Sequence, residues 1–164
     1  MSNSYYSKIL KEPVGSIFKK YKEQGKKIVF TNGCFDLIHK GHIKTLYEAK
    51  RIGDILVVGI NTDESIRRIK GEDRPIMPLD SRQAVLASLQ YVDYVVPFEE
   101  DTPMNIIKQI RPNIIVKGGD YTEDEIVGRE LVINLGGFVR IIEQSPGYST
   151  TGIINKIQKQ VKKP

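Results

Sequence analysis

Several things are scarce in this sequence, and each scarcity removes a class of protein. Its 164 residues include one cysteine, Cys34, so no disulfide can form within the chain and a reducing cytoplasm is the expected setting. Long apolar runs are missing: a stretch such as Asp54–Ile60 is strand-length and far short of a membrane span. No basic stretch followed by an apolar block opens the chain, which reads as the lack of a secretory leader. Neither a P-loop pattern nor GxGxxG is present, and this turns the reading away from common kinase and dinucleotide folds. There is no internal repeat and no low-complexity segment. The net charge of +5 is modest, and Lys19, Lys20, Lys156, Lys162 and Lys163 read as solvated ends. Such a balance suits a small polyanion as well as a nucleic acid, and the chain has no basic stripe or stacking platform of the kind single-strand binders use.

What is present is the profile of one globular domain, with 40% hydrophobic and 27% charged residues. Short β-branched runs alternate with helical spacings. Strands are expected at 27–31, 55–60, 94–96, 113–116 and 138–142. Between them, helices are expected from Gly41 to Gly53 (through Ile43, Leu46, Tyr47 and Ala49), near Glu64–Lys70, after an Asp80 N-cap, from Thr102-Pro103, and from Ser149 to Val161. Residues 1–25 read as an extra amphipathic helix carrying Ile9, Val14, Ile17, Phe18 and Tyr21, ahead of a main domain at 26–164. The alternation predicts an α/β fold, a doubly wound Rossmann-like parallel sheet of five strands with helices on both faces. With the order 3-2-1-4-5, ligands belong where the order reverses, between the exits of strands one and four. Those exits are Thr31-Asn-Gly-Cys-Phe-Asp36 and Lys117-Gly-Gly-Asp-Tyr121, the two most polar glycine-bearing strand ends in the chain.

The only two histidines stand three apart, in His39-Lys40-Gly41-His42, where a loop enters a helix. There both rings can address one group, above the free N–H groups of a helix N-terminus, and a phosphate fits that position. The alternatives are two neighbouring surface histidines, or a zinc site, which lacks a third ligand at metal-like spacing.

Thr31-Asn-Gly-Cys-Phe-Asp36 followed by HxGH resembles the signature of the cytidylyltransferase-like nucleotidyltransferases. From about residue 26 to 157 the chain is similar to the heptose 1-phosphate adenylyltransferase branch. The segments that carry this are 61–65, 67–71, Asp73-Arg-Pro75, Phe98-Glu-Glu-Asp-Thr-Pro103, Val116-Lys-Gly-Gly-Asp-Tyr121 and Ser149-Thr-Thr151. The resemblance implies adenylyl transfer from ATP to a heptose 1-phosphate, for lipopolysaccharide or a related glycan, with Mg²⁺ accompanying the triphosphate. It implies that Thr31, His39 and His42 meet the triphosphate, with Asn32, Gly33, Phe35 and Gly41 in the same nucleotide loop. It further implies that Ser149, Thr150 and Thr151 bind phosphate oxygens, that Lys70 reaches the phosphates, and that Lys117, Gly118 and Asp120 line the base and ribose pocket. Asp36 resembles the acidic residue that orients the acceptor.

The chain departs from glycerol-phosphate relatives at Gln144, where they carry an arginine; Arg82 is the first candidate for the missing cation, as a substrate-binding residue. The expected partners are therefore ATP and a sugar 1-phosphate, in a homo-oligomer, a dimer or larger, without nucleic acid or membrane. Two other readings stand beside this one. One is cytidylyl transfer to glycerol 3-phosphate or another alcohol phosphate. The other is a non-catalytic nucleotide sensor or nucleic-acid module, against which the paired histidines argue.

Overall fold

The structure is a computed structural model that describes residues 4–143 and 147–161, so Gln144, Lys162 and Lys163 lie outside the described residues. Five strands form one parallel sheet: β1 (Ile28–Gly33), β2 (Ile55–Asn61), β3 (Tyr94–Phe98), β4 (Ile114–Gly118) and β5 (Phe138–Ile142). Their order is β3-β2-β1-β4-β5, the expected one, with the reversal between β1 and β4. Successive strand residues face opposite ways and build two cores. Ile28, Phe30, Val57, Val96, Ile115 and Val139 line one face. Val29, Leu56, Val58, Ile60, Val95, Ile114, Val116 and Ile142 line the other. Burial on both faces explains why the strands read as continuous apolar runs rather than alternating ones.

Helices cover both faces. α1 (Gly15–Glu23), α5 (Met104–Ile110) and α6 (Arg129–Asn134) close the first core with Phe18, Ile106, Ile107, Ile110 and Val132. On the second, α2 (Lys40–Arg51) and α4 (Leu79–Ser88) contribute Leu46, Ala49, Leu86 and Ala87. α3 (Asp63–Lys70) follows β2, and α7 (Thr150–Val161) closes the described chain.

Some local expectations differ. Residues 5–8 form a short 3-10 turn, Ile9 pairs with Val95 at the sheet edge, and only then does α1 begin, so the first 25 residues are not one helix. Val14 and Phe18 are wholly buried in the first core. Asp80 is not the N-cap of α4; that position is Pro78. The Leu79 N–H instead donates to the Asp63 carboxylate, 3.3 Å away on α3, so the cap arrives from another helix. Pro103 precedes the first residue of α5 rather than opening it. Tyr47 is exposed and packs edge-on against Tyr91 outside the core.

Candidate active site

The C-terminal ends of β1 and β4 open on a cavity of about 460 Å³, walled by the starts of α2 and α7 and the end of α3. Two roomier grooves exist, one of about 830 Å³ between α5 and α6 and one of about 640 Å³ beside Lys11 and Glu99. Neither holds a histidine or an exit of β1 or β4, so chemistry, not size, selects the smaller cavity. Every site residue expected from the sequence lines it except Asp120 and Arg82.

The histidines are held by the backbone they cap. His39 is the N-cap of α2, and its side chain accepts from the Gly41 N–H at 3.1 Å. His42 Nδ1 takes a longer contact, 3.4 Å, from the His39 N–H. A backbone amide can only donate, so each Nδ1 is an unprotonated acceptor and each neutral ring carries its proton on Nε2. The rings stack with centroids 3.9 Å apart. Burial pulls the His42 pKa down to about 4, the neighbouring His39 adds to this, and Asp36 opposes it. Burial lowers His39 as well. At neutral pH the pair is therefore two uncharged Nε2–H donors at a helix N-terminus. Gly41 leaves the rings room, because a Cβ there would stand 3.0 Å from the His39 ring and press on it.

Beyond β1 the chain twists sharply: Phe35 and Leu37, on either side of Asp36, both adopt left-handed backbone angles (φ 48° and 50°). Bulky residues rarely do so, and such strain collects at functional sites. The twist leaves Asp36 1% exposed. Its Oδ1 accepts the Met77 N–H at 3.0 Å, and its Oδ2 accepts the Ile76 N–H at 2.9 Å and Arg74 Nε at 3.0 Å. Arg74 Nη2 adds an ion pair at 2.9 Å. Asp36 thus anchors the loop between α3 and α4. Arg82 braces the same loop from behind: Nε donates to the Met77 carbonyl, Nη1 to the Cys34 carbonyl and Nη2 to the Asp63 carboxylate. All three of its nitrogens are committed and it is 2% exposed, so Arg82 does not face a substrate. The arginine that does line the cavity is Arg74.

On the β4 side, Lys117 donates to the Asn32 carbonyl at 3.2 Å and lies over the Tyr121 ring, 5.6 Å from its centroid. Burial brings its pKa down to about 8, against a small opposing effect of Cys34. Gly118 touches α2 so closely that a Cβ would fall 2.4 Å from Thr45 Oγ1. Asp120 is exposed and is not among the residues that line the cavity. Ser149 caps α7 by accepting the Gly152 N–H at 3.0 Å, as its place before the helix suggests. Thr150 donates its hydroxyl to the Asp36 carbonyl at 2.7 Å, tying α7 to the β1 exit. Lys70 stands exposed at the end of α3, on the cavity rim.

Tyr121 lines the cavity at the end of the Lys117–Tyr121 strand exit, and so do Arg74 and Tyr148, which the sequence does not mark as site residues. Arg74 and Tyr121 did stand in the segments that carry the family resemblance; nothing in the letters singled out Tyr148. Among the described residues no group of three or more His, Cys, Asp or Glu could hold a metal ion. The cavity's two carboxylates, Asp36 and Asp101, are each bound to an arginine. These residues fit a Mg²⁺ that arrives on a triphosphate and keeps phosphate and water ligands, not one held in a protein cage.

Residues 30–156 match the cytidylyltransferase-like family. The bifunctional protein HldE of Geobacter sulfurreducens is 56% identical over 138 residues, 84% of this chain and 28% of that protein. The chain therefore spans under a third of such a relative. A crystal structure of the lipopolysaccharide core biosynthesis protein from Thermoplasma volcanium superposes with a TM-score of 0.61 at 35% identity, over 74% of this chain and 98% of that one. The pantoate-beta-alanine ligase of Francisella tularensis, solved with beta-gamma ATP and beta-alanine, shares the fold alone: TM-score 0.56, 16% identity, 95% of this chain and 79% of that one. No helix among the described residues is long and apolar enough to cross a membrane.

Proposed function

The chain belongs to the cytidylyltransferase-like family, and from that premise we propose that it is an adenylyltransferase. It joins the AMP part of ATP to a heptose 1-phosphate, giving ADP-heptose and pyrophosphate for lipopolysaccharide or a related glycan. The observation that carries this reading is the pair of neutral Nε2–H donors of His39 and His42, in one cavity with Lys70, Arg74 and Lys117. The similarity to HldE and to the Thermoplasma protein supports the heptose branch.

An oxygen of the acceptor's phosphate attacks the α-phosphorus. A P–O bond forms there, the bond to the bridging oxygen of the β-phosphate breaks, and pyrophosphate leaves. The acceptor phosphate has a second pKa of about 6 and is largely dianionic at neutral pH, so it needs no general base. What the protein supplies is alignment and donors to the charge on the phosphoryl oxygens. His39 and His42 give those donors, the capped start of α7 with Ser149, Thr150 and Thr151 faces the phosphates, and Lys70 and Lys117 add positive charge. Thr31, Asn32, Gly33, Phe35, Gly41 and Gly118 shape the nucleotide side. Mg²⁺, when bound with the triphosphate, neutralises its oxygens. A cytoplasmic setting, where ATP is available, and a homo-oligomer without nucleic-acid or membrane partners complete the reading.

Pyrophosphate release tests it. ATP with heptose 1-phosphate should turn over, with kcat/KM at least about tenfold above that for CTP, the scale of one or two pocket hydrogen bonds. Glycerol 3-phosphate should be inert. Equal use of CTP, or turnover of glycerol 3-phosphate, would move the assignment to cytidylyl transfer.

A further inference from the structure

Two arginines brace the loop between α3 and α4, and they differ in what is left over. Arg82 spends every nitrogen on protein partners and is buried. Arg74 spends only Nε and Nη2, both on Asp36 Oδ2, and among the described residues Nη1 makes no hydrogen bond. Its side chain is 17% exposed and lines the cavity. Asp36, for its part, is largely committed to the loop. Its carboxylate takes two backbone N–H groups and the guanidinium, and it is out of reach of solvent.

We propose that Arg74 binds the phosphate of the acceptor, and that Asp36 is the positioning residue that fixes the guanidinium plane so that its free edge meets that phosphate. The inference rests on the adenylyl-transfer reading above and names the acceptor subsite within it. A planar guanidinium held along one edge by a buried carboxylate offers its other edge as a preorganised fork, the geometry that matches phosphate oxygens in pairs. Its rotamer is fixed before binding, so little ordering cost remains. The triphosphate already has the histidine pair, the helix N-terminus beneath it and the start of α7. A second phosphate group brought into the same cavity needs its own cation, and Arg74 stands on the loop wall bound to Asp36.

The test is steady-state kinetics of the whole protein with ATP and heptose 1-phosphate. Arg74→Ala should raise KM for the acceptor on the order of 10–100-fold, the loss of a charge-assisted hydrogen bond, while KM for ATP stays within about threefold. Arg74→Lys keeps the charge without the fork and should recover only part of this. Added methylguanidinium should restore acceptor use to Arg74→Ala. Asp36→Asn should shift the acceptor KM in the same direction with kcat less affected; a purely structural role would instead lower kcat and raise both KM values together. An unmoved acceptor KM in Arg74→Ala, or an equal rise in KM for ATP, overturns the assignment. If wild-type protein releases no pyrophosphate with heptose 1-phosphate, the functional reading itself falls; normal wild-type turnover with an unmoved variant defeats only the role of Arg74.

Discussion

Around the exit of β1, the acidic side chains that face the loop already have arginines: Asp36 holds Arg74, and Asp63 holds Arg82. At the exit of β4, next to it in the sheet, Lys117 has a carbonyl and a tyrosine face and, among the described residues, no carboxylate. The first arrangement fixes geometry: buried ion pairs add little net stability, but breaking one strands a charge. The second leaves a half-buried cation short of an anion, which costs stability and is tolerated where a ligand supplies the missing charge. The carboxylates at the β1 exit are matched within the fold, whereas on the proposed function the charge of Lys117 at the β4 exit is matched by the substrate.

The largest expected effect is on the β1 side, at the ion pair that lies wholly within the fold. Arg82→Ala should cost about 3–5 kcal/mol in denaturant unfolding, because Asp63 and the carbonyls of Met77 and Cys34 lose their partner. Unchanged stability would erase the contrast between the exits. Next comes the histidine pair that borders both. His42→Ala should lower kcat on the order of 10²–10³-fold, the usual consequence of removing one preorganised donor, with ATP affinity changed far less. Near-normal turnover would remove the rings from the chemistry.

The third effect is smaller and opposite in sign to the first. The folded pKa of Lys117 lies at about 8, below the ordinary lysine value. Between that pH and the ordinary value the unfolded chain holds more protons, so Lys117 makes stability rise with pH across this window. Lys117→Met should therefore be at least as stable as wild type at pH 7 and should lose that rise. Once neutral, the lysine attracts no anion. kcat/KM, which reports the free enzyme, should then fall as pH passes about 8 in wild type, and this limb should vanish in the variant. A Lys117→Met protein destabilised like Arg82→Ala would show that both exits are structural.

The legibility of the molecule divides along a similar line. The sheet could be read because its central strands are buried on both faces and therefore spelled largely in apolar letters, and the His39–His42 cap because both rings act within one helical turn. Ser149 announced itself as a cap for the same local reason. What escaped depends on distant partners. The start of α4 is capped by Asp63 across 16 residues, so the nearby Asp80 was a misleading signal. α6 has six residues and one buried side chain, Val132, too little for a helical period to register. Arg82 and Arg74 are eight residues apart on either flank of one loop. Only the packing decides which is walled in and which faces the cavity.

The smallest effect concerns Cys34, which lines the cavity and invites a nucleophile reading. Burial pushes its thiol pKa up, against the nearby cations of Lys70, Arg82 and Arg74, so it stays protonated. Cys34→Ala should keep most activity. The central claim is that the two exits align two phosphates for one direct displacement, with no covalent stage on the protein. The stereochemical course at the α-phosphorus, followed with a single diastereomer of ATPαS, measures this most directly. One in-line attack predicts inversion at phosphorus in the ADP-heptose product. Retention would mean two successive displacements through a nucleotidylated side chain, and would contradict the account.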